Sequence, residues 1–279
     1  MSELDTAIAA NRANWDQRAD VHARSQMYDV DGLLADRSVI SQVVRNDLAV
    51  LAPHLEGETV SGRSLLHLQC HIGTDTICWA RLGAVDVHGL DLSPGSLAHA
   101  RRIAEADGAD VTWVEGDARA ASSVIDRRFE VVVTSAGTIV WLPELRAWGR
   151  SIHDLLEPGG VFVIRDDHPI LGAMDYEAWE VTGDYLSGGG ANVYDEAGTY
   201  TDGSVASITH TVNHEWRHDL AEVTGALLEA GLAIEALGEH PFMDWRAFPD
   251  LVASREGWRL KEGAPRIPLT FSLVARRPA

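Results

Sequence analysis

Three predicted strands in the first half of the chain are each followed by residues that can bind a nucleoside. The first strand leads into the loop Gln69–Thr74 (Q-C-H-I-G-T), in which Gly73 lets the backbone approach a ligand at the start of the next helix. The second strand leads to Asp91, 18 residues after Gly73, where a carboxylate can accept hydrogen bonds from both hydroxyls of a ribose. The third strand ends just before Asp117, a second carboxylate that can accept a hydrogen bond from an adenine amino group. Three such features in successive units favour a nucleoside-binding site, although Asp91 and Asp117 can also be interpreted as caps of helices or turns.

A second motif, H-E-W-R-H at His214–His218, matches the H-E-x-x-H pattern of zinc hydrolases, and His210 extends the spacing to i, i+4, i+8. Such a site requires a helix, so that the histidines face one metal ion. Here Val205–Val212 alternates like a strand, and the capping box Asp219–Glu222 starts a helix only after His218. A zinc hydrolase is therefore kept as an alternative, no metal site is predicted, and one stoichiometric zinc in chelator-free protein would favour the hydrolase.

The hydrophobic pattern predicts an α/β fold around the nucleoside-binding residues. The predicted strands are Ser64–Cys70, Val85–Leu90, Val111–Glu115, Phe129–Ser135 and Val161–Arg165, and the predicted helices between them are Thr74–Leu82, Pro94–Asp107 with Ser93 as its cap, and Pro143–Leu156. Strands that alternate with helices indicate βαβ units and a parallel sheet. Ligands bind such sheets outside the carboxyl ends of the strands.

Two regions outside the alternating pattern are expected to cover this edge of the sheet. Residues 1–60 are predicted to form an N-terminal helical lid segment. Residues 170–216 are predicted to form a cap insertion, with turns at Ser187–Gly190 and Asp195–Ser204 and an antiparallel strand at Val205–Val212. A helix at Asp219–Ala230 and strands at Ala233–Leu237 and Leu269–Ala275 follow. The expected organisation is a segment 1–60 and a core domain 61–279 that contains the cap.

The composition excludes several classes of partner. The chain has 279 residues with 42 acidic and 23 basic side chains, a formal charge of −19. Proteins that bind nucleic acid neutralise phosphates with clustered Lys and Arg, whereas the basic residues here form only isolated pairs, so neither nucleic acid nor an anionic membrane is expected. Cys70 and Cys78 provide no disulfide framework, and no secretory signal or stretch of about 20 apolar residues is visible. We expect a soluble, cytoplasmic protein with a small-molecule substrate, and leave open a homo-oligomer.

The order of motifs over residues 64–167 resembles the class I S-adenosylmethionine-dependent methyltransferases. The motifs are L-L-H-L-Q-C-H-I-G, G-L-D-L-S, V-E-G-D-A, F-E-V-V-V-T-S and L-E-P-G-G-V-F-V. The resemblance implies a Rossmann-like, seven-stranded, mostly parallel sheet with one antiparallel strand, and S-adenosylmethionine lying across the first three strand ends. It also implies in-line transfer of a methyl group to an O, N or C atom of a small acceptor. Within this family, the chain is most similar to a bacterial small-molecule subgroup that has a Q-C-H-type loop. That subgroup has W-L-P after strand four and H-P after strand five, which match Trp141–Pro143 and His168–Pro169 here.

The resemblance also assigns individual residues. Gly73 matches the last glycine of the first family motif, Asp91 the acid that binds ribose, and Asp117 the acid that contacts adenine. Ser135 and Ala136 fall where substrate and methyl donor meet. The expected cofactor-binding residues are Gln69, Cys70, His71, Gly73, Thr74, Asp91, Leu92, Gly116, Asp117, Ala118 and Ser135, with Trp15 and Tyr28 from the N-terminal segment.

The first motif departs from the family pattern. His67 stands at the acidic position, and Gln69 and His71 replace the first two glycines. We expect these two side chains to line the methionine part of the cofactor, provided that their backbone avoids left-handed angles, which favour glycine.

Two histidines are candidates for a general base, which is needed only when the acceptor must lose a proton. His168 follows the fifth strand directly, and His214 lies on the predicted cap strand. The simpler interpretations are that His168 stabilises the turn 166–169 and that His214 is solvated. Trp15, Tyr28 and Trp141 can form the walls of the site, because aromatic faces attract a sulfonium cation. A nicotinamide-dependent oxidoreductase is a further alternative, although of its G-x-G-x-x-G motif only Gly73 is present.

Overall fold

The computed structural model describes residues 2–175, 177, 179–188 and 190–279. In chain order, its helices are α1 (Glu3–His22), α2 (Val30–Ala35), α3 (Gln42–Leu51), α4 (Thr74–Arg81), α5 (Pro94–Asp107), α6 (Leu145–Leu155) and α7 (Leu220–Glu229). Its strands are β1 (Ser64–Leu68), β2 (Val85–Asp91), β3 (Val111–Glu115), β4 (Phe129–Ser135), β5 (Leu156–Asp167), β6 (Met174–Asp175), β7 (Glu180–Val181), β8 (Ala191–Asp195), β9 (Val212–Trp216), β10 (Ala233–His240), β11 (Phe242–Met243), β12 (Leu251–Ser254), β13 (Gly257–Leu260) and β14 (Thr270–Arg276).

Seven of these strands form the central sheet, in the order β10-β14-β5-β4-β1-β2-β3. Strands β1 to β5 pair in parallel with their neighbours, and β14 is antiparallel to both β5 and β10. The sheet confirms the predicted α/β, Rossmann-like fold, including its single antiparallel strand. The strand order reverses between β1 and β4, and ligands of open α/β sheets bind at the carboxyl ends next to such a reversal.

Each face of the sheet carries its own apolar core, because successive side chains of a strand point to opposite faces. On β4, Val131 and Val133 pack in a core with Trp79 of α4, whereas Val132 packs in the other core with Trp148 of α6. The first core includes residues of α1 to α5, and the second includes residues of α6 and α7. Burial on both faces is the physical reason that the central strands appear in the sequence as nearly continuous apolar runs.

Helix α5 begins as the sequence predicts. The Ser93 side chain accepts a hydrogen bond from the Ser96 N–H, and Pro94 occupies the first turn, where it has no N–H to leave unpaired. The capping box predicted for α7 is only half formed. Asp219 accepts from the Glu222 N–H, but the Glu222 carboxylate bonds to the ring of His218 instead of returning to the cap.

The N-terminal helix α1 packs beside the insertion that follows β5. The Asn11 side chain is hydrogen-bonded to both the N–H and the carbonyl of His214 on β9, at 2.7 and 2.8 Å. The prediction of a strand at Val205–Val212 is wrong. The strand is β9, which begins at Val212 and pairs with β8, so the alternation before it belongs to irregular chain that is bonded to α1 side chains such as Gln17. Of the predicted turn Ser187–Gly190, Gly189 lies outside the described residues.

A small antiparallel sheet, β11-β13-β12, lies between β10 and β14 in the chain, and the hydrophobic pattern had not predicted it. Among the described residues, no helix has both the length and the apolar character needed to cross a bilayer. Cys70 and Cys78 are buried and free.

Candidate active site

A cavity of about 740 Å³, the central cavity, lies at the carboxyl ends of β1 to β5. Helix α1 and the chain after β5 contribute residues to its wall, as do the loops of the sheet edge. The sequence-predicted residues that line it are Trp15, Tyr28, Gln69, Cys70, His71, Thr74, Asp91, Leu92, Gly116, Asp117, Ala118, Ser135, Ala136, Trp141 and His168. Gly73 and His214 are not among the lining residues.

The loop after β1 has an unusual backbone. Gln69 and His71 have φ angles of 55° and 50°, in the left-handed region, so the expectation that these non-glycine residues avoid left-handed angles is wrong. Their side chains nevertheless line the cavity, as expected. Left-handed angles cost an L-residue about 1–2 kcal/mol, and strain of this kind gathers at functional sites. The turn therefore keeps the backbone shape of a glycine-rich loop while adding two polar side chains.

This strain predicts a difference between two variants of Gln69. Gln69→Gly and Gln69→Ala both remove the side chain, whose Nε2 donates to the Thr138 carbonyl at 2.9 Å. Only alanine retains the left-handed penalty, so we expect Gln69→Gly to be the more stable of the two by about 1 kcal/mol. The free energy of unfolding from urea titration measures the difference. An alanine variant as stable as the glycine variant would show that the loop does not hold this angle.

Gly73 has a structural role behind the loop. Its φ is 79°, and a Cβ built there would lie 2.4 Å from Cη2 of Trp113 and 2.8 Å from Cβ of Ala100. A side chain has no room at this position, so the glycine allows α4 to begin close to β3 and α5.

Asp91 holds the same loop from the end of β2. Its Oδ2 accepts a hydrogen bond from the His71 N–H at 2.8 Å, and its Oδ1 accepts from the Ser93 N–H at 2.9 Å. Removal of the carboxylate from water raises the pKa of Asp91 to about 6, although the two N–H groups favour its ionised form. Each oxygen retains a lone pair, so the carboxylate can still accept from two ligand hydroxyls.

Asp117, at the end of β3, is engaged differently. Its carboxylate pairs with the guanidinium of Arg119, with both oxygens 3.1 Å from Nε, and it also accepts from the Arg119 N–H at 2.9 Å. Arg119 therefore orients the Asp117 carboxylate at the cavity wall and balances its negative charge.

Both ring nitrogens of His168 have partners. Nδ1 accepts from the Ile170 N–H at 3.1 Å, and Nε2 lies 2.9 Å from Oε1 of Glu239, to which it donates. Burial lowers the pKa of His168, which the hydrogen bond to Glu239 partly offsets. In this arrangement the ring stabilises the turn after β5, as the simpler interpretation proposed, and neither nitrogen is free to accept a proton.

The H-E-x-x-H segment is not helical. His214 lies on β9 with its ring stacked on Trp216 at 6.3 Å, and His218 follows the strand. Nε2 of His218 lies 2.7 Å from the Leu142 carbonyl and Nδ1 lies 2.9 Å from Glu222, so both nitrogens face oxygen acceptors. Within the described part of the chain, no group of three or more His, Cys, Asp or Glu residues could hold a metal ion.

His67 occupies the family's acidic position as a neutral ring. Burial lowers its pKa to about 4, and its Nδ1 lies 2.9 Å from the Thr76 hydroxyl. His67 lines the cavity, and its Nε2 is buried. It therefore supplies no negative charge at this position.

Aromatic rings form one side of the cavity. The Trp15 ring is edge-on to Trp141 at 5.1 Å and to His71 at 5.2 Å. The hydroxyls of Tyr28 and Tyr200 are 2.5 Å apart. Sequence reasoning had proposed Trp15, Tyr28 and Trp141 for these walls but had missed Tyr200, because its segment of the insertion carries only turn signals.

Four carboxylates lie near the buried Arg165, and we call Asp47, Asp75, Asp167 and Asp244 the carboxylate cluster. Arg165, which is completely buried, donates from Nε to Asp47 at 2.8 Å and lies 2.7 Å from Asp244 through Nη1. Asp75, Asp167 and Asp244 line the cavity. Removal from water raises the pKa of Asp75 to about 6, and raises that of Asp167 well above its ordinary value with a contribution from neighbouring carboxylates. Sequence reasoning missed this cluster, and only Asp75, two residues after Gly73, had a local signal.

Comparison with known proteins identifies the domain. Residues 65–160 match a family model described as a methyltransferase domain. The structure is similar to the CcbJ methyltransferase from Streptomyces caelestis, with 20% identity, a TM-score of 0.58, and coverage of 97% of this chain and 99% of that chain. An S-adenosylmethionine-dependent methyltransferase from Mesorhizobium loti is 19% identical, with a TM-score of 0.53 over 84% of this chain and 100% of that chain. The glycopeptide N-methyltransferase MtfA, complexed with S-adenosylmethionine, is 21% identical, with a TM-score of 0.51 over 86% of this chain and 95% of that chain. No curated protein matches the chain.

The chain thus contains a methyltransferase domain on the fold of the class I S-adenosylmethionine-dependent methyltransferases. The match confirms the family resemblance of the motifs. The likeness to a subgroup with a Q-C-H-type loop stays a prediction.

Proposed function

We propose that this protein transfers a methyl group from S-adenosylmethionine to a small molecule held in the central cavity. The observation that carries the proposal is the contact between Asp91 and the left-handed loop after β1, at the reversal of strand order in a methyltransferase domain. This arrangement places a carboxylate and a shaped backbone where an adenosyl group can lie.

The cavity residues fit that cofactor. Asp91 accepts the ribose hydroxyls, Asp117 lies where the adenine amino group can donate to it, and the loop Gln69–Thr74 lines the methionine part. Gln69 and Trp15 line the cavity, and Oε1 of the first and Nε1 of the second are buried with no hydrogen-bond partner among the described residues. Buried polar groups of this kind are normally paired, so a polar ligand between them is supported.

When bound, the cofactor supplies an already activated methyl group, and the chain provides alignment in a site shielded from water. Holding the reactants in line can account for about 7–11 kcal/mol of barrier reduction. We propose that the lid segment 1–60 and the cap insertion 170–216 shield the reaction, because Asn11 and Gln17 of α1 bond to the chain at His210 and His214.

A small-molecule acceptor is supported by the size of the cavity, about 740 Å³, and by the acidic composition, which disfavours nucleic acid and anionic membranes. A cytoplasmic location and a homo-oligomer stay predictions from the sequence. The alternatives are not favoured, since H-E-x-x-H lies outside a helix and a G-x-G-x-x-G motif is lacking.

Calorimetric titration with S-adenosylhomocysteine tests the proposal and includes a prediction on pH. Because the pKa of Asp91 is about 6 and only the ionised carboxylate accepts from both hydroxyls, we expect affinity to fall as the pH is lowered through 6. It should be about tenfold weaker at pH 5 than at pH 8. In the Asp91→Asn variant, the affinity should change little over this range. Absence of binding at every pH would refute the proposed function.

A further inference from the structure

Two carboxylates that line the central cavity, Asp167 and Asp244, lie away from the proposed cofactor-binding loops. The cofactor loops follow β1, β2 and β3, whereas Asp167 ends β5, which is separated from β1 by β4 in the sheet. Asp244 reaches the same region from the chain after β11. This part of the wall is therefore available to the methyl acceptor.

The charges of the carboxylate cluster are not balanced. Arg165 is shared between Asp47 and Asp244. Within the described part of the chain, no basic side chain forms a salt bridge with Asp75 or Asp167, and Oδ1 of Asp167 is buried with no hydrogen-bond partner. One guanidinium thus faces four carboxylates, and burying an unpaired charge is costly unless a cation joins it.

The arginines at the cavity wall do not correct this imbalance, because each already has a partner. Arg12 pairs with Glu115, and Arg119 pairs with Asp117. The other two arginines donate to main-chain carbonyls, Arg45 to Ile40 and Arg217 to Asp184. None of these four contacts the carboxylate cluster.

Aromatic rings face the same space. Trp245 directly follows Asp244, lines the cavity, and lies 6.1 Å from the ring of Tyr200. Aromatic faces attract ammonium groups, more strongly when these are removed from water. Carboxylates and aromatic rings around one cavity are the combination that holds an organic cation.

We propose that the methyl acceptor is an amine, bound as its ammonium ion between the carboxylate cluster and the aromatic wall, and that Asp167 takes up its proton. This inference rests on the proposed function and specifies its substrate class. Asp167 is suited to the role because it lines the cavity without a salt bridge to any basic side chain among the described residues, and its raised pKa favours proton uptake.

The proposed step is balanced. One ammonium proton passes to a carboxylate oxygen of Asp167, which becomes neutral. The freed nitrogen lone pair forms the new N–C bond to the methyl group as the C–S bond breaks, and the electron pair of that bond goes to sulfur, which becomes a neutral thioether. The product leaves as an N-methylammonium ion, and Asp167 releases its proton to solvent.

Matched probes test the substrate class in protein saturated with S-adenosylhomocysteine. We would titrate 2-phenylethylamine, 2-phenylethanol and 3-phenylpropanoate by calorimetry at neutral pH. The amine is expected to bind at least tenfold more tightly than the alcohol, and the carboxylate more weakly than either. Asp167→Asn should weaken amine binding about tenfold while leaving the affinities of the alcohol and of S-adenosylhomocysteine unchanged. Asp126→Asn, which removes the same charge from an exposed site outside the cavity, should change none of them.

Turnover tests the proton transfer. With S-adenosylmethionine and the amine, Asp167→Asn should slow methylation at neutral pH and recover towards the wild-type rate as the pH is raised to 10, where the unprotonated fraction of an amine is far larger than at neutral pH. If S-adenosylhomocysteine binds but the amine shows no preference over the alcohol, or does not bind at millimolar concentration, the amine proposal is overturned and the proposed function stands. If S-adenosylhomocysteine itself does not bind, the proposed function fails first.

Discussion

The Asp91→Asn variant is expected to bind S-adenosylhomocysteine at least about 100-fold more weakly than the wild type. A hydrogen bond to a charged group contributes about 1.5–3 kcal/mol, and the carboxylate is proposed to accept two of them from the ribose. The asparagine amide also presents an N–H₂ group to one of the two backbone N–H groups, of His71 or Ser93, that the carboxylate now accepts. The loop after β1 therefore loses part of its support in addition to the lost ligand contacts.

Asp86→Asn provides the matched control. Asp86 lies on the same strand, β2, but near its opposite end, is exposed, and is 3.5 Å from Arg127. Its φ of 45° is tolerated by asparagine. We expect its affinity for S-adenosylhomocysteine to match the wild type in the same calorimetric experiment. Equal binding by the Asp91 variant and this control would remove Asp91 from the cofactor site.

The Arg165→Met variant is expected to lose about 3–5 kcal/mol of the free energy of unfolding at pH 7.5. The loss follows because methionine leaves Asp47 and Asp244 as buried carboxylates without their cation. Removing one partner of a buried ion pair lowers the free energy of unfolding much more than replacing both partners by apolar residues does. Urea denaturation followed by circular dichroism measures the change.

The sign of the pH dependence distinguishes this cause from a simple packing defect. Without Arg165, the pKa of Asp47, already raised by burial, rises further, so the native state binds more protons than the unfolded state. The destabilisation should therefore shrink as the pH is lowered from 7.5 towards 5. A packing defect would give the same loss at both pH values.

Arg146→Met is the control for this prediction. Arg146 pairs with Glu229 at 3.0 Å on the surface, where both side chains are more than half exposed. Exposed pairs contribute between zero and about 1 kcal/mol, so this substitution should change the free energy of unfolding by less than that. A loss as large as that of Arg165→Met would mean that removal of any arginine from this chain has the same effect.

The local sequence was sufficient to predict the central sheet. The strand Phe129–Ser135 is observed with the predicted bounds, because a strand buried on both faces is nearly all apolar. The edge strand Val111–Glu115 also has the predicted bounds, although its residues are half-buried or exposed. The ends of these strands then placed Asp91 and Asp117 at one edge, since parallel strands bring their carboxyl ends together. The place of a residue within a strand-loop-helix unit depends on its spacing from nearby residues, and this spacing can be read from a single sequence.

The tertiary structure decided the rest, because it depends on contacts between distant residues. Gln69 and His71 adopt left-handed angles that their residue types disfavour, and Asp91, 20 residues after His71, supports the loop by accepting from the His71 N–H. The sequence left His168 open between a general base and a residue that stabilises its turn, whereas in the fold its Nε2 bonds to Glu239, 71 residues later. The carboxylate cluster is assembled around Arg165 from helices and loops as far apart as Asp47 and Asp244, and no local pattern encodes a charge balance among them. The sequence by itself determined where a nucleoside can bind, whereas the packing of distant segments determined which charges face the acceptor.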